Sequence, residues 1–341
     1  MSITPKTALQ KLIDHVDFSH EEMLDVMQQI MGGTFTPVQI AGFLAGLRVK
    51  GETVTEIAAA AQVMRELSTK VVVADGAHLI DTCGTGGAAN KAFNVSTASA
   101  FVAAGAGARI AKHGGRAASS KTGSADVLEA LGVNIGLGPE QVARCVNEAG
   151  IGFMFAPNHH SAMRYAAPVR RELGVRTLFN LLGPLTNPAG AKRQVMGVFH
   201  KDLVSLLALT LKQLGSQHVM VVHSADEMDE ISFAADTYVA ELKDGEVHEY
   251  VLNPGQFGMP LHDINSIHVE NAQESSEIIC SVFTGEKGPA RDIVLLNAGA
   301  AIYVSGLASD LKAGIEKAAQ SLDSGAASAK LERLKVLSQQ L

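Results

Sequence analysis

The sequence predicts an α/β protein: a small all-helical N-terminal domain followed by a larger α/β domain built on a mainly parallel central sheet. Two observations carry this expectation. Over the first seventy of the 341 residues, apolar stripes recur at three- and four-residue steps behind capping residues, and no strand-like run interrupts them. From about Val71 the texture changes to short apolar runs alternating with helical patterns, which is how parallel strands joined by crossover helices read.

Each element follows from local signals. Ser19 and Glu22 form a capping-box pattern ahead of Met23, Val26, Met27 and Ile30, and Gly32-Gly33 ends that helix. Thr36-Pro37 with Gln39 opens the next, whose Ile40, Phe43, Leu44 and Leu47 share a face. Thr53 and Glu56 cap a third, striped by Val54, Ile57, Ala58, Ala61 and Met64. Strands are expected near Leu79-Ile80, Arg109-Ile110-Ala111, Ile151 to Phe155, Val195 to Phe199 and His218 to Val222. Helices are expected at Ser124 to Leu131, Pro139 to Ala149 and Asp202 to Leu214, closed by Gly132, Gly150 and Gly215. Tyr238 to Leu252, centred on Asp244-Gly245, reads as a hairpin. The Pro- and Gly-bearing stretch Leu181 to Gly190 is expected to carry the chain between domains.

Composition narrows the function classes. Lys and Arg total 28 against 35 for Asp and Glu, a formal charge of −7 without a like-charge block, which argues against nucleic acid and anionic membranes as partners. Cys83, Cys145 and Cys280 are odd in number and lack CxxC spacing, so neither a disulfide framework nor a structural zinc site is expected. The start, MSITPKTALQKLIDH, lacks the apolar core of a secretory signal, and the apolar stretch Ala98 to Ala111 is broken by Arg109; a cytoplasmic location is expected. The absence of Trp and an aromatic content of 5% argue against a stacking platform for single strands.

The residues that carry chemistry begin with Asp81-Thr82-Cys83-Gly84-Thr85-Gly86-Gly87, followed by Asn94-Val95-Ser96-Thr97 and then Lys112-His113-Gly114-Gly115-Arg116. Together they read as one anionic-ligand site: backbone N–H groups that a ligand can approach closely, hydroxyls at a helix start near Asn94, and a fixed positive charge. The spacing is neither that of the dinucleotide fingerprint nor that of a Walker loop. Lys112, at a strand end ahead of two glycines, is expected to aim its ammonium into a cleft at the carboxyl edge of the sheet. Beyond the apolar run His218 to Val222, Asp226-Glu227 and Asp229-Glu230 offer the hard oxygens a Mg²⁺ ion needs when it bridges phosphate oxygens, and chemistry alone does not rank the two pairs. His159 and His160 are adjacent, point differently on helix or strand, and lack further ligands at zinc spacing. Arg164, Arg170 and Arg171 are each able to hold a carboxylate through a bidentate pair.

The string of motifs resembles the anthranilate phosphoribosyltransferase family of tryptophan biosynthesis. The likeness runs over most of the chain: the helical start, the GTGG loop, Asn94-Val95-Ser96-Thr97, Lys112-His113-Gly114 with Arg116, the run Gly123 to Gly132, the run Arg176 to Pro188, and Asp229-Glu230-Ile231-Ser232. The resemblance implies a nucleoside phosphorylase/phosphoribosyltransferase-like fold and a homodimer formed through the helical domain. The expected division is 1–70, joined by helices from about 161–190, for the helical domain, with 71–160 and 191–341 for the α/β domain that binds phosphoribosyl diphosphate.

By the same resemblance, phosphoribosyl diphosphate would be held by Gly84, Gly87, Ala88, Ala92, Asn94, Val95, Ser96, Thr97, Lys112, Gly114, Gly115, Arg116, Ser119, Ser120 and Ser124. Anthranilate would meet Gly84, His113, Gly115, Arg170 and Pro184, and Mg²⁺ would be bound by Ser96, Asp229 and Glu230. Departure of Mg²⁺-bound diphosphate would leave oxocarbenium character at the anomeric carbon for the acceptor's amine to attack, with no covalent nucleophile. Ala88, Ala92 and Gly115 stand where family members usually carry Asp, Thr or Ser, and Asn, so a related reaction on another aromatic acceptor, or weakened catalysis, is the alternative expectation.

Overall fold

The computed structural model describes residues 2–86, 91–116 and 122–341. Four helices open the chain: α1 (Pro5–Ile13), α2 (His20–Gly32), α3 (Pro37–Lys50) and α4 (Val54–Leu67). The capping boxes read from the sequence are all formed, Ser19 with Glu22, Thr36 with Gln39 and Thr53 with Glu56. Glu56 has a second task, since its fully buried carboxylate also accepts from Phe18 N at 2.9 Å and from Lys50 Nζ at 3.0 Å. Those bonds and the ion pair offset the cost of taking the charge out of water.

Next come β1 (Leu79–Gly84), α5 (Val95–Gly105), β2 (Arg109–Gly114), α6 (Ser124–Ala130), α7 (Pro139–Ala149) and β3 (Ile151–Phe155). The short helices α8 (Ala156–His159), α9 (Ala167–Leu173) and α10 (Phe179–Leu185) follow, then β4 (Arg193–Gly197), α11 (Leu203–Gln213), β5 (His218–Ser224) and the hairpin β6 (Thr237–Lys243) and β7 (Glu246–Leu252). The chain closes with α12 (Ala272–Phe283), α13 (Pro289–Val304), α14 (Leu311–Asp323) and α15 (Ala326–Gln340). The seven strands lie in the order β3-β2-β1-β4-β5-β6-β7, parallel from β3 to β5 and antiparallel across β6 and β7.

Side-chain alternation sends the two faces of this sheet into two apolar clusters. Val195, Met220, Val222 and Val239 pack with α5, α13 and α15, whereas Met196, Val219, Val221 and Ala240 pack with α4, α10 and α11 and with the helices at the start of the chain. The second cluster also takes Ala166, Val169, Leu178 and Leu182, so the segment after β3 returns to the N-terminal helices before the chain re-enters the sheet at β4.

Four expectations need correction. β4 spans 193–197 rather than 195–199, because Phe199 has left the ladder and donates its N–H to Thr85 Oγ1 at 3.1 Å. β1 runs on through Asp81-Thr82-Cys83, polar residues that read as a turn, and β2 continues past the strand end at Lys112 through His113; all five are buried against partners distant in sequence. The first half of the Leu181 to Gly190 stretch is helical, with Pro184 inside α10. Helices α12 to α15 complete the α/β layer without having been singled out in sequence.

Candidate active site

Strand order reverses between β1 and β4, whose chains lead away to opposite sides of the sheet, and this opens a crevice beyond their carboxyl ends. Gly84 and Gly197 are paired across those ends. Both are glycine for lack of room: a Cβ on Gly197 would lie 1.6 Å from the backbone oxygen of Asp229, and one on Gly84 would lie 2.8 Å from Asp229 Oδ2. The loop 225–236 between β5 and β6 therefore folds over the strand ends and presses Asp229-Glu230 into the crevice.

The structure separates the two acidic pairs. Asp226 is spent inside the loop, accepting from Ser224 Oγ and, at 2.6 Å, from Ser232 Oγ, while Glu227 is exposed with its carboxylate 3.9 Å from His223 Nε2. Asp229 and Glu230 instead line a cavity of about 50 Å³ with Thr82, Gly84, Ser96 and Ser99. Burial holds both carboxyls above their usual range, and Glu230 is pushed further by the Asp229 charge beside it. Among the described residues Glu230 Oε2 has no hydrogen-bond partner, although it is buried. Two half-buried carboxylates, one with a buried oxygen short of a partner, and a serine hydroxyl in the same cavity form a hard-oxygen donor set that fits a small divalent cation.

Around this pair the glycine-rich loop and the start of α5 converge. Thr85 N donates to Gly197 O at 2.9 Å, which ties the loop to β4, and the Gly86 backbone N–H favours the charge of Asp229. Asn94 caps α5, its side chain accepting from Thr97 N at 3.1 Å and its N–H donating to Ser275 Oγ at 2.9 Å. The positive end of the α5 dipole faces the crevice through Ser96. Ala92 bridges to His268 and Phe93 N bonds Ile267 O at 3.0 Å, which fixes the approach to that helix. Gly87, Ala88, Ser119 and Ser120, four of the expected ligands, lie outside the described residues.

Lys112 departs from the expectation that its ammonium opens into the cleft. It is only 2% exposed, and its Nζ donates to Thr82 O and, at 3.1 Å, to Ser96 Oγ, beneath the first turn of α5. Burial lowers its pKa, against the Asp81 carboxylate, which favours the charge. At the end of β2, Gly114 runs beside Ser124, whose Cβ would be 3.4 Å from a Cβ built on the glycine. Among the described residues, a Cβ on Gly115 would meet nothing within 4 Å. Arg116 turns outward, pairing with Asp126 and Glu129 at 2.9 Å each and lying 5.7 Å over the Phe155 ring.

The histidines part company as their adjacency requires. His159 Nδ1 meets Thr69 O at 3.0 Å, whereas His160 Nε2 meets His113 Nε2 at 3.2 Å. His113 Nδ1 faces Gly183 O at 3.2 Å, which brings the end of β2 against the Gly183-Pro184 turn of α10. Burial lowers His113 to about 3 and His160 to about 4, so both are neutral at physiological pH. Arg170, on α9, lies with its guanidinium 5.2 Å over the ring of Phe179, the first residue of α10. Among the described residues no carboxylate pairs with it.

Two asparagines of this region escaped the sequence reading. Asn187 Nδ2 donates to Asp81 Oδ2 at 2.7 Å and to Ala111 O at 2.9 Å, which fastens the chain after α10 beneath the glycine-rich loop. Asn297, in the middle of α13, bonds both backbone groups of Ile231, next to Glu230. A polar residue inside an otherwise apolar helical run was the available signal for Asn297.

Comparison with known proteins gives the same picture. Residues 6–68 match the helical bundle domain of a glycosyl transferase family, and residues 76–328 match the a/b domain of a glycosyl transferase family. The chain is 84% identical to an anthranilate phosphoribosyltransferase of Methylobacillus flagellatus, over 99% of each, and 60% identical to one of Thiobacillus denitrificans, over 99% of this chain and 98% of the other. Among solved structures it superposes on the anthranilate phosphoribosyltransferase of Thermus thermophilus with a TM-score of 0.92 at 42% identity, covering 97% of this chain and 99% of that one. The Saccharomyces cerevisiae enzyme in complex with PRPP and Mg gives 0.89 at 27% identity, covering 99% and 98%. With both domain models matched and near full-length identity to its relatives, this chain belongs to the anthranilate phosphoribosyltransferase family.

Proposed function

We propose that this chain transfers the phosphoribosyl group of 5-phosphoribosyl 1-diphosphate to the amine of anthranilate, giving N-(5-phosphoribosyl)anthranilate and diphosphate in tryptophan biosynthesis. The observation that carries this reading is the half-buried Asp229-Glu230 pair, seated over two glycines in the crevice that also holds the Gly84 loop and the start of α5. The relatives' shared name supports anthranilate itself as acceptor over another aromatic amine.

In this reading phosphoribosyl diphosphate is held by Gly84, Gly87, Ala88, Ala92, Asn94 to Thr97, Gly114, Gly115, Ser119, Ser120 and Ser124, with Lys112 acting from beneath the first turn of α5 and Arg116 swinging in from Asp126 and Glu129. Backbone N–H groups and the α5 dipole meet the negative charge. Ser96, Asp229 and Glu230 hold Mg²⁺, which supplies neutralisation of the leaving diphosphate. Anthranilate lies near Gly84, Gly115 and Pro184, beside a neutral His113, so recognition of its carboxylate falls to Arg170. The bond from the anomeric carbon to the diphosphate oxygen breaks, the bond to the amine nitrogen forms, and the amine loses a proton. The protein contributes placement and charge complementarity, with no side chain bonded to substrate.

The same reading keeps the helical part as 1–70 with helices from about 161–190, on the ground that both stretches share one apolar cluster. It pairs two copies through that part in a cytoplasmic homodimer. Among the described residues no helix is long and apolar enough to cross a membrane. The test is to incubate the purified protein with phosphoribosyl diphosphate, Mg²⁺ and anthranilate and identify the product by mass; failure to form N-(5-phosphoribosyl)anthranilate overturns the reading.

A further inference from the structure

Asn297 is the exception in its helix. It sits among Ile293, Val294, Leu295, Leu296, Ala298 and Ala300, all buried, and is itself only 6% exposed. An amide there costs stability unless its hydrogen bonds are made, and here they are. Oδ1 accepts from Ile231 N at 2.9 Å, and Nδ2 donates to Ile231 O and to Ile293 O, each at 2.9 Å.

The first two bonds grip both peptide groups of one residue, as one rung of a sheet would. Ile231 N belongs to the peptide that begins at Glu230, so the grip sets where the acidic pair stands. On the other side, the Asp229 backbone rests on Gly197 without room for a Cβ. The Ile231 side chain is 1% exposed and anchored in the core. Asn297 also reaches the wall of the cavity that Ser96, Asp229 and Glu230 line. The acidic pair is thus held between the ends of β1 and β4 and one amide of α13.

We propose that Asn297 is a positioning residue for the divalent cation: by holding both backbone groups of Ile231 it sets Asp229 and Glu230 in the pose that binds the metal. The inference rests on the reading of that pair as cation ligands. It requires no contact between Asn297 and the metal. Groups that orient a metal ligand typically change metal affinity by about 10- to 100-fold when removed, and that is the effect expected here.

The test measures Mn²⁺ binding by electron paramagnetic resonance on the full chain with phosphoribosyl diphosphate present, a readout independent of turnover. Asn297→Leu keeps the branched shape at Cγ and removes all three bonds; Asn297→Ala removes them without added bulk. Both are expected to weaken Mn²⁺ binding at least tenfold and to raise the Mg²⁺ concentration for half-maximal rate, leaving the KM for anthranilate unchanged. Ile302→Ala, buried on the same helix but outside the lining of the cation cavity, is the control: it is expected to lower the melting temperature without moving Mn²⁺ affinity. Wild-type Mn²⁺ binding in the Asn297 variants, or an equal loss in Ile302→Ala, overturns the proposal.

Asp229→Asn and Glu230→Gln separate the two levels of the argument. If they leave Mn²⁺ binding intact, the cation reading fails; if they abolish it and the Asn297 variants do not weaken it, the positioning inference alone fails. Should neither Asn297 variant fold, hydrogen exchange of the wild-type Ile231 amide decides. Protection equal to that of α13 supports the grip, and rapid loop-like exchange overturns it.

Discussion

His160 and His113 share one hydrogen bond between their Nε2 atoms, at 3.2 Å, and the geometry dictates which ring donates. His113 Nδ1 faces the Gly183 carbonyl and must carry a proton, so in the neutral ring its Nε2 accepts and His160 Nε2–H donates. His160 Nδ1 is then an acceptor, and it is buried without a partner among the described residues. The chain from Gly183 through His113 to His160 has a single direction.

This pair makes the fold acid-sensitive. Their folded pKa values, about 3 and about 4, lie below the ordinary 6.5, so unfolding takes up protons below pH 6.5. Stability is complete above that pH and falls as the pH drops toward 4, at pH 5 by about 2 kcal/mol for one such histidine. Denaturant midpoints at pH 7 and pH 5 should therefore lie further apart in the wild type than in His160→Gln. Equal separations would contradict neutral burial of the ring.

Gly197→Ala puts a methyl group where the Asp229 carbonyl oxygen now stands. The loop must move, with an overpacking cost of about 1–3 kcal/mol, and the acidic pair moves with it. Thermal denaturation and kcat should fall together, and the variant should need more Mg²⁺ for half-maximal rate. A variant that loses stability but keeps its Mg²⁺ dependence would show that the loop position does not govern cation binding.

Much of this was legible in the sequence because local chemistry decided it. The capping boxes at Ser19, Thr36 and Thr53 and the hairpin at Asp244-Gly245 depend on residues within a few positions, and all are formed. The family was legible through resemblance, from several long motifs standing in the order its members show. What local reading missed is set by distant partners. Asp81 and His113 look like loop residues and Lys112 like a strand end open to the cleft, yet partners at Asn187, Gly183 and Ser96 bury all three inside strands. Choosing Asp229-Glu230 over Asp226-Glu227 needed the fold, which spends Asp226 on Ser224 and Ser232.

Arg170→Lys keeps the charge and loses the planar fork that pairs with a carboxylate. Losing one hydrogen bond to a charged group is worth about 1.5–3 kcal/mol, so the KM for anthranilate should rise by roughly ten- to a hundredfold while that for phosphoribosyl diphosphate stays put. Steady-state kinetics with each substrate varied in turn distinguishes the two. A change confined to phosphoribosyl diphosphate would remove Arg170 from the acceptor's place.

Among the described residues nothing lies within 4 Å of a Cβ on Gly115, so Gly115→Asn meets no steric obstacle from them. The melting temperature should be unchanged, and an added amide donor near the acceptor should lower the anthranilate KM by up to about tenfold. Destabilisation would show that the position is more crowded than its geometry indicates.

The central claim is that this crevice joins phosphoribosyl diphosphate to anthranilate through a cation held by Asp229 and Glu230. Diphosphate release by the wild type, Asp229→Asn and Glu230→Gln, titrated with Mg²⁺ with and without anthranilate, tests it most directly. The account predicts release that requires both anthranilate and Mg²⁺ in the wild type, falling by about a hundredfold or more in each variant. Release that ignores anthranilate, or variants that turn over like the wild type at the same Mg²⁺ concentration, would contradict it.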